Sequence, residues 1–116
     1  MRILFDNSTP RGIAKALDGH SVTEAREEGW DQLKNGELLD AAEKAGFELF
    51  LTPDQNIRYQ QNLEGRKIAI VVLSSGRWTL VQPHLSQIVQ AVNEAVSGSY
   101  AEVEIPLPPK KLFTRT

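Results

Sequence analysis

Apolar residues run along this chain in two rhythms. Short unbroken runs, Ile3-Leu4-Phe5 and Ile68-Ala69-Ile70-Val71-Val72-Leu73, alternate with segments in which they recur every three or four residues. Unbroken β-branched runs suit strands covered on both faces, and the longer period suits helices. A first strand therefore ends at Asp6. Thr9 as cap and Pro10 in the first turn predict a helix to about Leu17, closed by Asp18-Gly19. Residues 20–23 form a short strand, and 24–28 a helical turn before Gly29. Leu38, Ala41, Ala42 and Ala45 share one face of a helix that Asn35 can cap and Gly46 can end. Residues 47–52 form the third strand, and Pro53 breaks it before a polar helix to about Asn62. Val81, Leu85, Ile88, Val89, Val92 and Val96 mark one long helix over 80–96. A last strand spans 100–105, where Pro106-Leu107-Pro108-Pro109 stops it. Strands alternating with helices imply an α/β fold, three layers deep, with helices on both sides of a mostly parallel sheet.

Composition narrows the function classes. The 116 residues suit one domain, expected over 1–105, with a Pro-rich, flexible tail over 106–116. Cysteine is absent, which removes disulfides and thiolate metal sites and fits a cytoplasmic setting. No stretch approaches the ~20 apolar residues of a membrane span, so no membrane partner is expected. The formal net charge of −2 leaves no broad basic field, so nucleic acid would need a local patch or help from metal.

Open parallel sheets place their sites beyond the carboxyl ends of the strands. Asp6 follows the first strand and Asp54 the third, so both are expected on one edge. Glu37 opens the helix that feeds the third strand. Three carboxylates, Asp6, Glu37 and Asp54, repel one another unless a hard cation such as Mg²⁺ or Mn²⁺ relieves them. Such an ion activates water and offsets charge on a phosphodiester. Each acid also has a plain structural role: Asp54 as a helix cap, Glu37 as a first-turn charge.

The pieces Ile3-Leu4-Phe5-Asp6-Asn7-Ser8-Thr9-Pro10, Gly36-Glu37-Leu38-Leu39-Asp40-Ala41-Ala42 and Leu51-Thr52-Pro53-Asp54-Gln55-Asn56, then the strand at 68–73, resemble the short PIN-like proteins. These are relatives of PIN-domain ribonucleases, VapC-type toxins among them, and the resemblance covers about residues 1–97. It implies a metal-dependent ribonuclease with Asp6, Glu37 and Asp54 as catalytic acids and Asn56 as a further metal ligand. It also implies RNA as substrate and a small antitoxin protein, encoded nearby, as partner; a homodimer is compatible with it. The chain departs from the family pattern at Asn7, Asn35 and Asn56, where relatives carry acids.

Arg58 and Arg77 suit phosphate contacts, and Tyr59 can stack a base. A solvated helix face explains Arg58 and Tyr59 equally well, and Trp78 and Trp30 read as packing residues. His20 and His84 are isolated and receive no catalytic role. Two other classes compete. A receiver-like phosphoacceptor domain shares the order Asp6, Asp54, Ser74, Lys110, but has no acidic pair at 6–7 and no room for a final helix. A PIN-like module without chemistry would keep the fold alone.

Overall fold

All five expected strands form, and all five join one sheet. In the computed structural model, which describes residues 1–107, β1 (Arg2–Phe5), β2 (Ser21–Glu24), β3 (Leu49–Thr52), β4 (Ala69–Leu73) and β5 (Tyr100–Val103) lie in the order β2-β1-β3-β4-β5. Every neighbouring pair is parallel. The sheet is thus wholly parallel. The expected tail over 106–116 falls, from Pro108 onward, outside the described residues.

Period-two alternation divides the core between the two faces. Ile3, Phe5, Leu49, Leu51, Ala69, Val71 and Leu73 pack on one side with Ile13, Leu17, Val81, Ile88 and Val92. Leu4, Phe50, Ile70 and Val72 pack on the other with Ala25, Leu38, Leu39, Ala42 and Ile57. Strands buried on both faces need the continuous apolar sequence that β3 and β4 carry, and every residue of these two strands is buried.

Helices differ from expectation where backbone chemistry intervenes. α1 (Asn35–Lys44) begins at Asn35, so Lys34 takes the cap position. The Glu37 carboxylate accepts the Lys34 N–H at 3.5 Å. Gly46 follows with φ +87°, the left-handed conformation a helix end favours. Residues 11–16 form a 3₁₀ segment with Pro10 as its cap. Thr9 does not cap it, because its hydroxyl donates to the Leu51 carbonyl at 2.8 Å and ties the loop after β1 to β3. The polar helix after Asp54 is one turn only, α2 (Ile57–Gln60). The expected long helix is broken into α3 (Trp78–Val81), a 3₁₀ turn at Gln82–His84 and α4 (Leu85–Glu94). Pro83 has no N–H to continue the α ladder. Ala95 is already extended, which leaves Val96 67% exposed rather than on the apolar face.

Candidate functional site

The chain passes from β1 outward to β2 and then returns to β3 on the other side of β1. The β1/β3 junction is therefore the topological switch point, where loops diverge and leave a crevice beyond the strand ends. Asp6 and Asp54 both leave the sheet there, one directly after β1 and one two residues after β3.

Thr52, fully buried at the end of β3, joins them. Its hydroxyl donates to Asp6 Oδ2 at 2.7 Å and accepts the Asp54 N–H at 3.0 Å. Asp54 Oδ1 in turn accepts the Asn56 N–H at 3.0 Å, closing an Asx turn, while the cap position of α2 falls to Asn56 rather than to Asp54 as expected. The Asp6 N–H donates to the Leu51 carbonyl at 3.1 Å, and the Thr9 N–H to the Asp6 carbonyl at 2.9 Å. Both carboxylates thus sit on loops whose backbones are pinned to β3. Beside Asp6, the side-chain oxygen of Asn7 is buried with no hydrogen-bond partner. A buried unpaired acceptor costs free energy, and an oxygen in that position is a donor for a hard cation.

The exit of β4 packs against the same two loops. A β-carbon at Gly76 would lie 3.1 Å from the Ser8 carbonyl and 3.2 Å from Pro53, so this loop approaches the other two closely. Gln55 reaches across to the Ser74 carbonyl at 3.0 Å. Arg77 is exposed beside this contact. Trp78 lies across Gly12, closer than any side chain there would permit, and remains 38% exposed. On the β2 side, Glu24 pairs with Arg11 at 3.1 Å and with Arg26 at 3.5 Å, and Arg26 also donates to the Asn7 carbonyl at 3.3 Å.

The structure therefore brings Asp6 and Asp54 to one edge. Glu37 lies at the start of α1, where Gly36 closely approaches Gln61, and its carboxylate is turned to Lys34. Among the described residues, no three of His, Cys, Asp and Glu gather as a metal-holding group. Arg58 stacks on Tyr59 with 4.8 Å to the ring centroid and pairs with Glu102 at 3.7 Å. His20 accepts from the N-terminal ammonium at 3.1 Å and contacts Asn93 Oδ1 at 2.8 Å, far from the crevice in role. Sequence reasoning missed the part played by Thr52. Its signal was a lone polar residue ending an otherwise apolar strand. The Arg11–Glu24–Arg26 cluster was missed for want of any local motif.

No family model, curated protein or solved structure matches this chain. Among the described residues, no helix is long and apolar enough to cross a membrane.

Proposed function

We propose that the crevice beyond β1 and β3 binds Mg²⁺ or Mn²⁺ and hydrolyses phosphodiester bonds in RNA. The observation that carries this reading is the pairing of Asp6 and Asp54 through one buried hydroxyl at the switch point. The donors fit the ion: two carboxylates, the unpartnered Asn7 oxygen and the Asn56 amide are all hard oxygen ligands. Asp6 and Asp54 would hold the ion, with an asparagine oxygen beside them. Glu37, the third acid of this reading, is turned to the Lys34 N–H in the structure and would have to leave that contact to reach the ion. When bound, the ion supplies charge neutralisation and an activated water. Thr52 holds the Asp6 carboxylate in one orientation, and Arg77 offers a cation to the substrate phosphate. In this reading the protein acts in the cytoplasm, and a small antitoxin protein neutralises it by placing a basic side chain against the two carboxylates.

Mn²⁺ titration of the melting temperature tests the site. A ligand that binds only the folded state at 100 times its Kd stabilises by about 2.7 kcal/mol. Wild type should show such a shift and Asp6→Asn should lose it. Equal curves for the two proteins exclude a metal held by Asp6.

The strand order favours a second reading, since doubly wound receiver domains share it. Against it, the Ser74 hydroxyl is committed to the segment after β5, accepting the Ile105 N–H at 2.6 Å and facing the Ile105 carbonyl at 3.3 Å. Lys110 lies outside the described residues. Beryllofluoride binding at Asp54 would establish this reading in place of the first.

A further inference from the structure

α2 is a single turn, too short to roof the β4–β5 flank of the sheet. A groove of about 450 Å³ remains there, beside the Asp54 loop, floored by Val72 and walled by Gln55, Tyr59 and Glu104. Val72 pairs in register with Glu102 of β5, so Glu102 faces the same side of the sheet as this floor. Tyr59 is 72% exposed. The Arg58 guanidinium lies between two rings, 4.8 Å from the Tyr59 centroid and 5.6 Å from that of Tyr100. A large exposed ring held by a stacked cation is a prepared platform, because its orientation is fixed before a ligand arrives.

Charge decides what the platform takes. The groove has one guanidinium against two carboxylates, and Arg58 is already paired with Glu102. A phosphate is therefore disfavoured in the groove itself. A flat neutral ring that offers N–H donors is favoured. The Tyr100 hydroxyl, pushed up to about 12 by burial and by its hydrogen bond to Glu102, stays protonated and keeps Glu102 occupied. Glu104 is exposed on the opposite wall, and its two oxygens can accept a pair of parallel N–H groups.

We infer that this groove is a nucleobase subsite that stacks a purine on Tyr59 and prefers guanine through Glu104. Guanine presents adjacent N1–H and N2–H donors on its Watson–Crick edge, whereas uracil presents one donor between two acceptors. The subsite rests on the RNA reading above and specifies it: the substrate is single-stranded, with a guanine splayed into the groove while the adjoining phosphate lies at the crevice. Duplex RNA would not enter, because its base edges are paired.

Fluorescence anisotropy of labelled five-nucleotide RNA tests the subsite in EDTA, where any metal-dependent cleavage is silent. Oligo-G can self-associate, so the probe is a uridine pentamer with a single central guanosine, compared with all-uridine. Wild type should bind the guanosine probe several-fold more tightly. Tyr59→Ala should lose about tenfold, the loss expected of one base–aromatic stack, and Tyr59→Phe, which keeps the ring but not the 2.7 Å hydrogen bond from Arg58 to its hydroxyl, should recover most of it. Glu104→Gln should erase the guanosine preference while all-uridine binding stays unchanged. Equal affinity for the two probes, or Tyr59→Ala binding as wild type does, overturns the inference. Guanosine-selective binding without cleavage in Mn²⁺ retains the subsite and removes the nuclease reading. Cleavage that is indifferent to Tyr59 does the reverse.

Discussion

Thr52 carries more of this site than its side chain suggests. Its hydroxyl is buried and makes two hydrogen bonds, one to each acidic loop. Thr52→Val keeps the shape and removes both bonds, leaving the Asp54 N–H without its acceptor. The expected cost is about 1–3 kcal/mol, read from urea unfolding. Mn²⁺ affinity should fall as well, because Asp6 loses its orientation. Thr52→Ser should recover most of both. A Val variant as stable as wild type would show that the hydroxyl is idle. Asp6→Asn makes a contrasting pair. In the absence of metal it should unfold no more readily than wild type, since it lowers the local negative charge and an amide oxygen still accepts from Thr52.

At the scale of elements, one ion-paired clamp fastens α1 to the entry of β4. Arg66 pairs with Glu43 at 2.6 Å and Asp40 at 2.9 Å, and Glu43 also accepts the Lys67 N–H at 2.9 Å. Burial pushes the Glu43 carboxyl up, but the hydrogen bonds from Lys67 and Arg66 outweigh it and hold the group below its ordinary value. A lowered folded-state value stabilises above the unfolded glutamate value of about 4.3, and that contribution disappears as pH falls through the folded one. Glu43→Gln should cost about 1 kcal/mol at pH 7 and less near pH 3, below the unfolded value. Chemical unfolding at the two pH values checks this, and an equal loss at both would assign the effect to packing. Gly46→Ala should cost about 1–2 kcal/mol at any pH, since φ +87° strains a β-carbon. The elements were legible in unequal measure. β3 and β4 announced themselves through unbroken apolar runs, and Gly46 marked the end of α1. The first helix was misjudged because Thr9 and Pro10 form a good local start signal, while the Thr9 hydroxyl finds a partner 42 residues away. The long helix was overextended because apolar periodicity continues through Pro83, although the backbone hydrogen bonds cannot. At the site, Asp6 and Asp54 were legible from strand ends alone. The register of Glu37 against them was not, since it depends on where Lys34 lets α1 begin. Tyr59 and Arg58 were visible as residue types. Their groove was not, because it exists through the shortness of α2.

For the molecule as a whole, the all-parallel order makes one edge of the sheet the natural working surface. Asp6, Asp54, Arg77 and the groove beside Tyr59 all belong to it. Under the proposed reading, expression of the protein should arrest growth, and co-expression of the adjacent open reading frame should relieve the arrest. Harmless expression, with no binding to the neighbour's product, would confine the protein to a role outside toxin–antitoxin pairs. The central claim is that Asp6 and Asp54 hold a divalent ion for phosphodiester hydrolysis. Its most direct test is cleavage of end-labelled single-stranded RNA by purified protein at millimolar Mn²⁺. Wild type, Asp6→Asn and Asp54→Asn are compared at matched far-ultraviolet circular dichroism. Wild type should cleave with Mn²⁺ and stop in EDTA. Each variant should be at least 100-fold slower, a loss of about 2.7 kcal/mol in transition-state stabilisation. Cleavage that survives EDTA or either substitution, or a folded wild type that leaves the RNA intact, would contradict the account.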